Sequence, residues 1–116
     1  MPSSYIPDGL LDNAFSLEVI GLHEVAWPKA VAIDILASLE GTDAFCLGGD
    51  VYRLEGNRPL PAYDNWFSER HQAETLENYT RRSREEALKY IRAYPDPEDG
   101  SVLYVLVLQG ASERVS

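Results

Sequence analysis

Seven apolar residues in an unbroken row, Val102 to Leu108, are the strictest constraint in this sequence. A strand that alternates apolar and polar side chains covers one face of a sheet, whereas a continuous run needs cover on both faces and belongs in the sheet interior. The row is far shorter than the roughly 20 residues of a membrane-spanning helix, so it reads as the central strand of a sheet and no transmembrane segment is expected. In a chain of 116 residues that strand must share one core with every other element.

The elements around it follow from spacing. Leu76, Tyr79, Ser83, Ala87, Leu88, Ile91 and Tyr94 recur at three- and four-residue steps, which predicts a long amphipathic helix over about residues 73 to 94. Its outer face carries Arg81, Arg82, Arg84, Glu85, Glu86 and Lys89, the mixture of a solvated surface. Pro95 and Pro97 end it. Earlier, Trp27-Pro28 sets a proline at a first helical position, and Trp27 is read as stapling the chain onto the core there. Ala30, Val31, Ile33, Ile35, Leu36 and Leu39 then spread around a helix that Gly41 ends, so this helix is expected between a sheet and another helix. Between the two helices, Ala44 to Leu47 and Val51 to Glu55 read as two strand segments interrupted by Gly48-Gly49. Glu55 to Arg58 forms a turn, and Pro59 and Pro61 predict an edge or loop running to Trp66-Phe67. Ser16 to Ile20 is read as a helical turn ended by Gly21, and residues 1 to 9 as an irregular arm ahead of a domain over 10 to 116. The order predicts an α+β fold: a single small domain with a short, mostly antiparallel sheet of about three or more strands packed against two main helices.

Charge narrows the partners. Nineteen acids against ten bases give a formal charge of -9, which disfavours a phosphate backbone as ligand and suits either a basic protein surface or solubility alone. The imbalance concentrates in residues 1 to 60, with nine acids and three bases. The opening MPSSYIPDG lacks the basic and apolar regions of a secretory signal, and Cys46 is the only cysteine, so a reducing, cytoplasmic location is expected.

Catalytic equipment is sparse. Cys46 lies within the apolar run AFCL and reads as a small buried hydrophobe. His23 and His71 stand without a second ligand at helical spacing, so no metal site and no cofactor is predicted. Gly48-Gly49-Asp50 lacks the lysine, hydroxyl and following helix of a phosphate-cradling loop. It reads either as a backbone kink or as a functional surface. Tyr52, Tyr63, Asp64, Asn65, Trp66 and Phe67 combine aromatic and acidic groups in the manner of a recognition surface, with Trp66 equally suited to close the core.

The run CLGGDVYRLEGNRPLPAYDNW, the later RSREEALKYI and the final apolar strand resemble the immunity protein 40 family of bacterial polymorphic toxin systems, over roughly residues 10 to 108. The most specific parts are Gly48-Gly49-Asp50-Val51-Tyr52 and Asp64-Asn65-Trp66. The resemblance implies a small α+β protein that neutralises a cognate toxin domain by stoichiometric binding, without catalysis. Polarity, aromatic character and an expected common location around one loop make Asp50, Tyr52, Tyr63, Asp64 and Trp66 candidate toxin contacts, with Gly48 and Gly49 holding the scaffold. A basic toxin surface would complement the acidic chain. The alternatives are a small enzyme or ligand-binding domain with a pocket at the Gly48-Gly49-Asp50 bend, Asp50 serving as acid or base, and a general interaction module.

Overall fold

The computed structural model describes residues 15–17 and 25–110. Its elements are β1 (Phe15–Ser16), β2 (Val25–Pro28), α1 (Lys29–Ser38), β3 (Ala44–Glu55), β4 (Arg58–Phe67), α2 (Leu76–Ala93) and β5 (Val102–Gly110). The strands form one five-stranded sheet in the order β1-β2-β5-β3-β4. Every neighbouring pair is antiparallel.

The apolar run occupies the middle of that sheet, as its lack of alternation requires. On one face of β5, Val102, Tyr104 and Leu106 join Ile35, Leu36 and Leu39 of α1 and Ala87 and Ile91 of α2 in the main core. On the other face, Leu103 and Val105 pack with Leu17, Ala26 and Tyr52. The α+β arrangement therefore places both helices on one side of the sheet. Among the described residues, no helix is long and apolar enough to cross a membrane.

Helix ends follow local chemistry. The Thr75 hydroxyl accepts from the Asn78 N–H at 3.1 Å and caps α2, an interaction typically worth about 1 kcal/mol. At the other end Tyr94 takes φ -66° and ψ 134°, the extended conformation that the ring of a following proline imposes. Helix α1 starts one residue later than its sequence suggests: Pro28 still pairs with Leu103 in β2, and Trp27 is a buried strand residue opposite Tyr104.

Two further expectations need correction, the division of β3 and the helical turn at Ser16. The segments on either side of Gly48-Gly49 are one strand, with a bulge between Cys46 and Gly48 against β5. The extra residue, Leu47, switches the alternation, so that Ala44 and Cys46 before it and Val51 after it all reach the helix-side core. Of the edge or loop expected beyond Pro59 and Pro61, residues 58 to 67 form the edge, strand β4, where the missing N–H groups of the two prolines are tolerated. Ser16 belongs to β1 and not to a helical turn. The rest of that turn and the arm over 1 to 9 lie outside the described residues.

Candidate functional site

Edge strand β4 and the C-terminal half of α2 enclose an open groove of about 640 Å³. Register explains how the sequence builds it. Gly48, Gly49 and Asp50 stand opposite Phe67, Trp66 and Asn65, and the Trp66 indole turns to the helix side and lies over Gly49. A side chain at Gly49 would run into the Trp66 ring and the Val105 carbonyl, and one at Gly48 into the Trp66 carbonyl. The two glycines and the tryptophan thus form one packing unit.

From Trp66 a row of rings leads inward. Trp66 stacks on Tyr90 at 4.7 Å and 29°. Tyr94 lies 6.0 Å from Tyr90 and meets Tyr104 edge-on at 6.0 Å. At one end of the groove the Tyr94 hydroxyl donates to Asp64 Oδ2 at 2.5 Å, and Arg53 reaches the same hydroxyl at 3.4 Å while its guanidinium sits over the ring. Burial, followed by the Asp64 carboxylate, pushes the Tyr94 phenol above its usual range. Burial also raises Tyr90, with the Asp64 charge adding to it.

At the other end the Ser68 hydroxyl donates to Glu86 at 2.6 Å, and Tyr79 donates to the Ser68 carbonyl at 2.6 Å. The Ser68 bond is the main cause that lowers Glu86. Arg82 locks the connection behind it, pairing with Glu74 at 2.7 Å and with Glu86 at 3.0 Å and donating to the Glu69 carbonyl at 2.7 Å. One polar group of the groove is left over: the Trp66 indole Nε1 is sealed from solvent with no acceptor among the described residues, a situation that ordinarily costs about 1–3 kcal/mol.

The outer rim is apolar. The β3–β4 register slips between Asp50 and Tyr52, where residues 62 to 64 bulge, and Tyr63 takes a positive φ of 62° there. Its ring is 88% exposed, and Phe67 further along β4 is 70% exposed. A bulky residue in that conformation carries strain of about 1–2 kcal/mol, here spent on holding an aromatic ring in water.

The sequence-derived candidates therefore divide. Asp64 and Trp66 line the groove, and Tyr63 stands beside it. Asp50 is half-buried next to Val51 on the opposite face. Tyr52 is buried in the second cluster, with 8% exposure, and offers little surface to a partner. Gly48 and Gly49 are buried beneath Trp66 and do not line the groove. Sequence reading missed Arg53, Tyr90 and Tyr94. The last two form an i, i+4 tyrosine pair on α2, a signal that is easily absorbed into core periodicity.

The remaining chemistry is structural. The Cys46 thiol is buried, donates to the Gly48 carbonyl at 3.3 Å and is pushed up to about 12 by burial. Among the described residues, no three His, Cys, Asp or Glu side chains converge as metal ligands.

Comparison with known proteins gives one relationship: the family model described as immunity protein 40 matches residues 16–108. No curated protein and no solved structure matches the chain.

Proposed function

The chain belongs to the immunity protein 40 family, and on that premise we propose that it binds one cognate bacterial toxin domain and neutralises it stoichiometrically, without turnover. The family match is the observation that carries this reading. The rim of β4 supports it: two large aromatic rings held in solvent on a strand, beside a groove with aromatic walls, have the make-up of a protein-binding hot spot. Tyr63, Asp64 and Trp66 are the contacts we assign, together with Phe67. Asp50, on the other face of the sheet, is left out of this contact, while Gly48 and Gly49 hold Trp66 in place.

The formal charge of -9 speeds encounter with a basic toxin surface in the cytoplasm of the producing cell. On the helix side of the Gly48-Gly49-Asp50 bend the Trp66 ring and backbone fill the space next to the two glycines, which leaves little room there for a substrate. The test is co-expression with candidate toxin domains of polymorphic toxin systems. Growth rescued from one toxin and no others supports specific neutralisation. Rescue from none, with the chain expressed and folded, counts against it. Binding should also weaken as salt rises, because steering by exposed charge is screened over about 10 Å at 0.1 M.

A further inference from the structure

The groove is balanced in charge, with two carboxylates and two cations in its lining, where the chain as a whole is acidic. Its two carboxylates are both committed internally: Asp64 accepts from Tyr94, and Glu86 accepts from Ser68 and Arg82. Its two cations close no ion pair among the described residues. Lys89 closes no ion pair with any described carboxylate, including Glu85 one turn before it on α2, and Arg53 has only its long contact to the Tyr94 hydroxyl and ring. The same groove is lined by the stacked rings of Tyr90 and Trp66, whose indole N–H lacks an acceptor among the described residues.

From this geometry we infer that the β4–α2 groove seats a protruding toxin segment that carries an apolar or aromatic side chain next to a carboxylate. The apolar side chain packs along Trp66 and Tyr90 while Phe67 covers it from the rim. The carboxylate lies toward Lys89 or Arg53, neither of which closes an ion pair among the described residues. An acceptor that enters with a small shift of the Trp66 ring also satisfies the indole N–H. Long-range attraction and local recognition thus use opposite signs: the acidic surface draws in a basic toxin, and the groove selects an acidic feature on it.

The inference rests on the toxin-binding reading, and two measurements separate their failures. In the first, the full-length chain is titrated by NMR with N-acetyl-phenylalanine and with its uncharged carboxamide, following the indole N–H signals of Trp66 and Trp27. The carboxylate probe should move the Trp66 signal and bind more tightly than the carboxamide by a factor of about 2–5, the scale of an exposed ion pair. Lys89→Ala should reduce that preference. Equal affinity of the two probes, or no movement at Trp66, overturns the inference.

In the second, Lys89→Glu is compared with Glu85→Lys for affinity toward the neutralised toxin. Weakening by Lys89→Glu beyond any change with Glu85→Lys supports a toxin segment in the groove. Unchanged affinity, with the probe preference intact, overturns that occupant in favour of a small carboxylate. Concentration-dependent self-association abolished by Phe67→Asp overturns it in favour of a second copy of the chain. A chain that relieves no toxin defeats the proposed function, while the probe titration still reports on the groove by itself.

Discussion

Trp66 lies across Gly49 on the neighbouring strand, and the two are cross-strand partners in register. The ring occupies the place of the missing side chain, so the glycine is there to let a tryptophan lie flat between the sheet and Tyr90. Gly49→Ala should therefore destabilise the fold by about 1–3 kcal/mol, the usual cost of overpacking. Urea unfolding checks this, and the variant should also show a displaced Trp66 fluorescence. An unchanged midpoint would mean that the ring is free to move aside.

Tyr63 reverses that relationship between residue and backbone, since a large side chain occupies a conformation suited to glycine. Tyr63→Gly should leave stability unchanged or raise it by up to about 1 kcal/mol, because relief of the left-handed strain offsets the entropy glycine adds to the unfolded chain. Toxin affinity should nevertheless fall at least tenfold. A variant both more stable and less protective, compared by thermal melting and growth rescue, marks Tyr63 as a residue kept for binding.

Glu74 supplies a pH dependence. The hydrogen bond from Arg82 holds its carboxyl down to about 2, below the ordinary 4.5. A group whose folded value is depressed stabilises above the unfolded value and loses that contribution as pH falls through the folded one. The stability advantage of the parent over Glu74→Gln should thus be constant above about pH 5 and shrink steadily toward pH 2. Thermal melts of the two proteins across this range check it, and a difference independent of pH contradicts the assigned ion pair.

Cys46 should be inert in the folded protein. Its thiol is buried and raised to about 12, so a thiol reagent at pH 8 should find almost no thiolate and no access. Reaction should proceed only at the rate of unfolding and become fast in denaturant. Rapid labelling of the native chain would place the thiol outside the core.

Much of this architecture is legible in the residues because two periods are clean. The row from Val102 to Leu108 demanded a central strand, and the spacing from Leu76 to Tyr94 demanded a helix with one buried face. Both elements stand where the pattern put them, within three residues at each boundary. Strand β4 was harder to read, because Pro59, Pro61 and the Tyr63 bulge break its alternation and an edge strand can tolerate all three. The bulge at Leu47 hid the continuity of β3 for a similar reason, since it changes which parity faces the core.

The candidate site shows the same division. Asp64 and Trp66 stood out as an acidic and aromatic pair in the chain, but their partners Tyr90 and Tyr94 lie a helix away. Tyr52, adjacent to the glycine motif in sequence, belongs to the opposite face of the sheet. Neighbourhood along a strand places alternate residues on opposite sides, so a compact motif need not be a compact surface.

The most direct test of the account is a titration of toxin activity against the purified chain, using the toxin domain from which the chain rescues growth. Stoichiometric binding requires a linear fall in activity that reaches zero at one equivalent, together with a one-to-one complex that Tyr63→Gly weakens without unfolding the chain. Loss of toxin activity at a small fraction of an equivalent would indicate turnover, and full toxin activity at excess chain would indicate no inhibitory complex; either result would contradict neutralisation by stoichiometric binding.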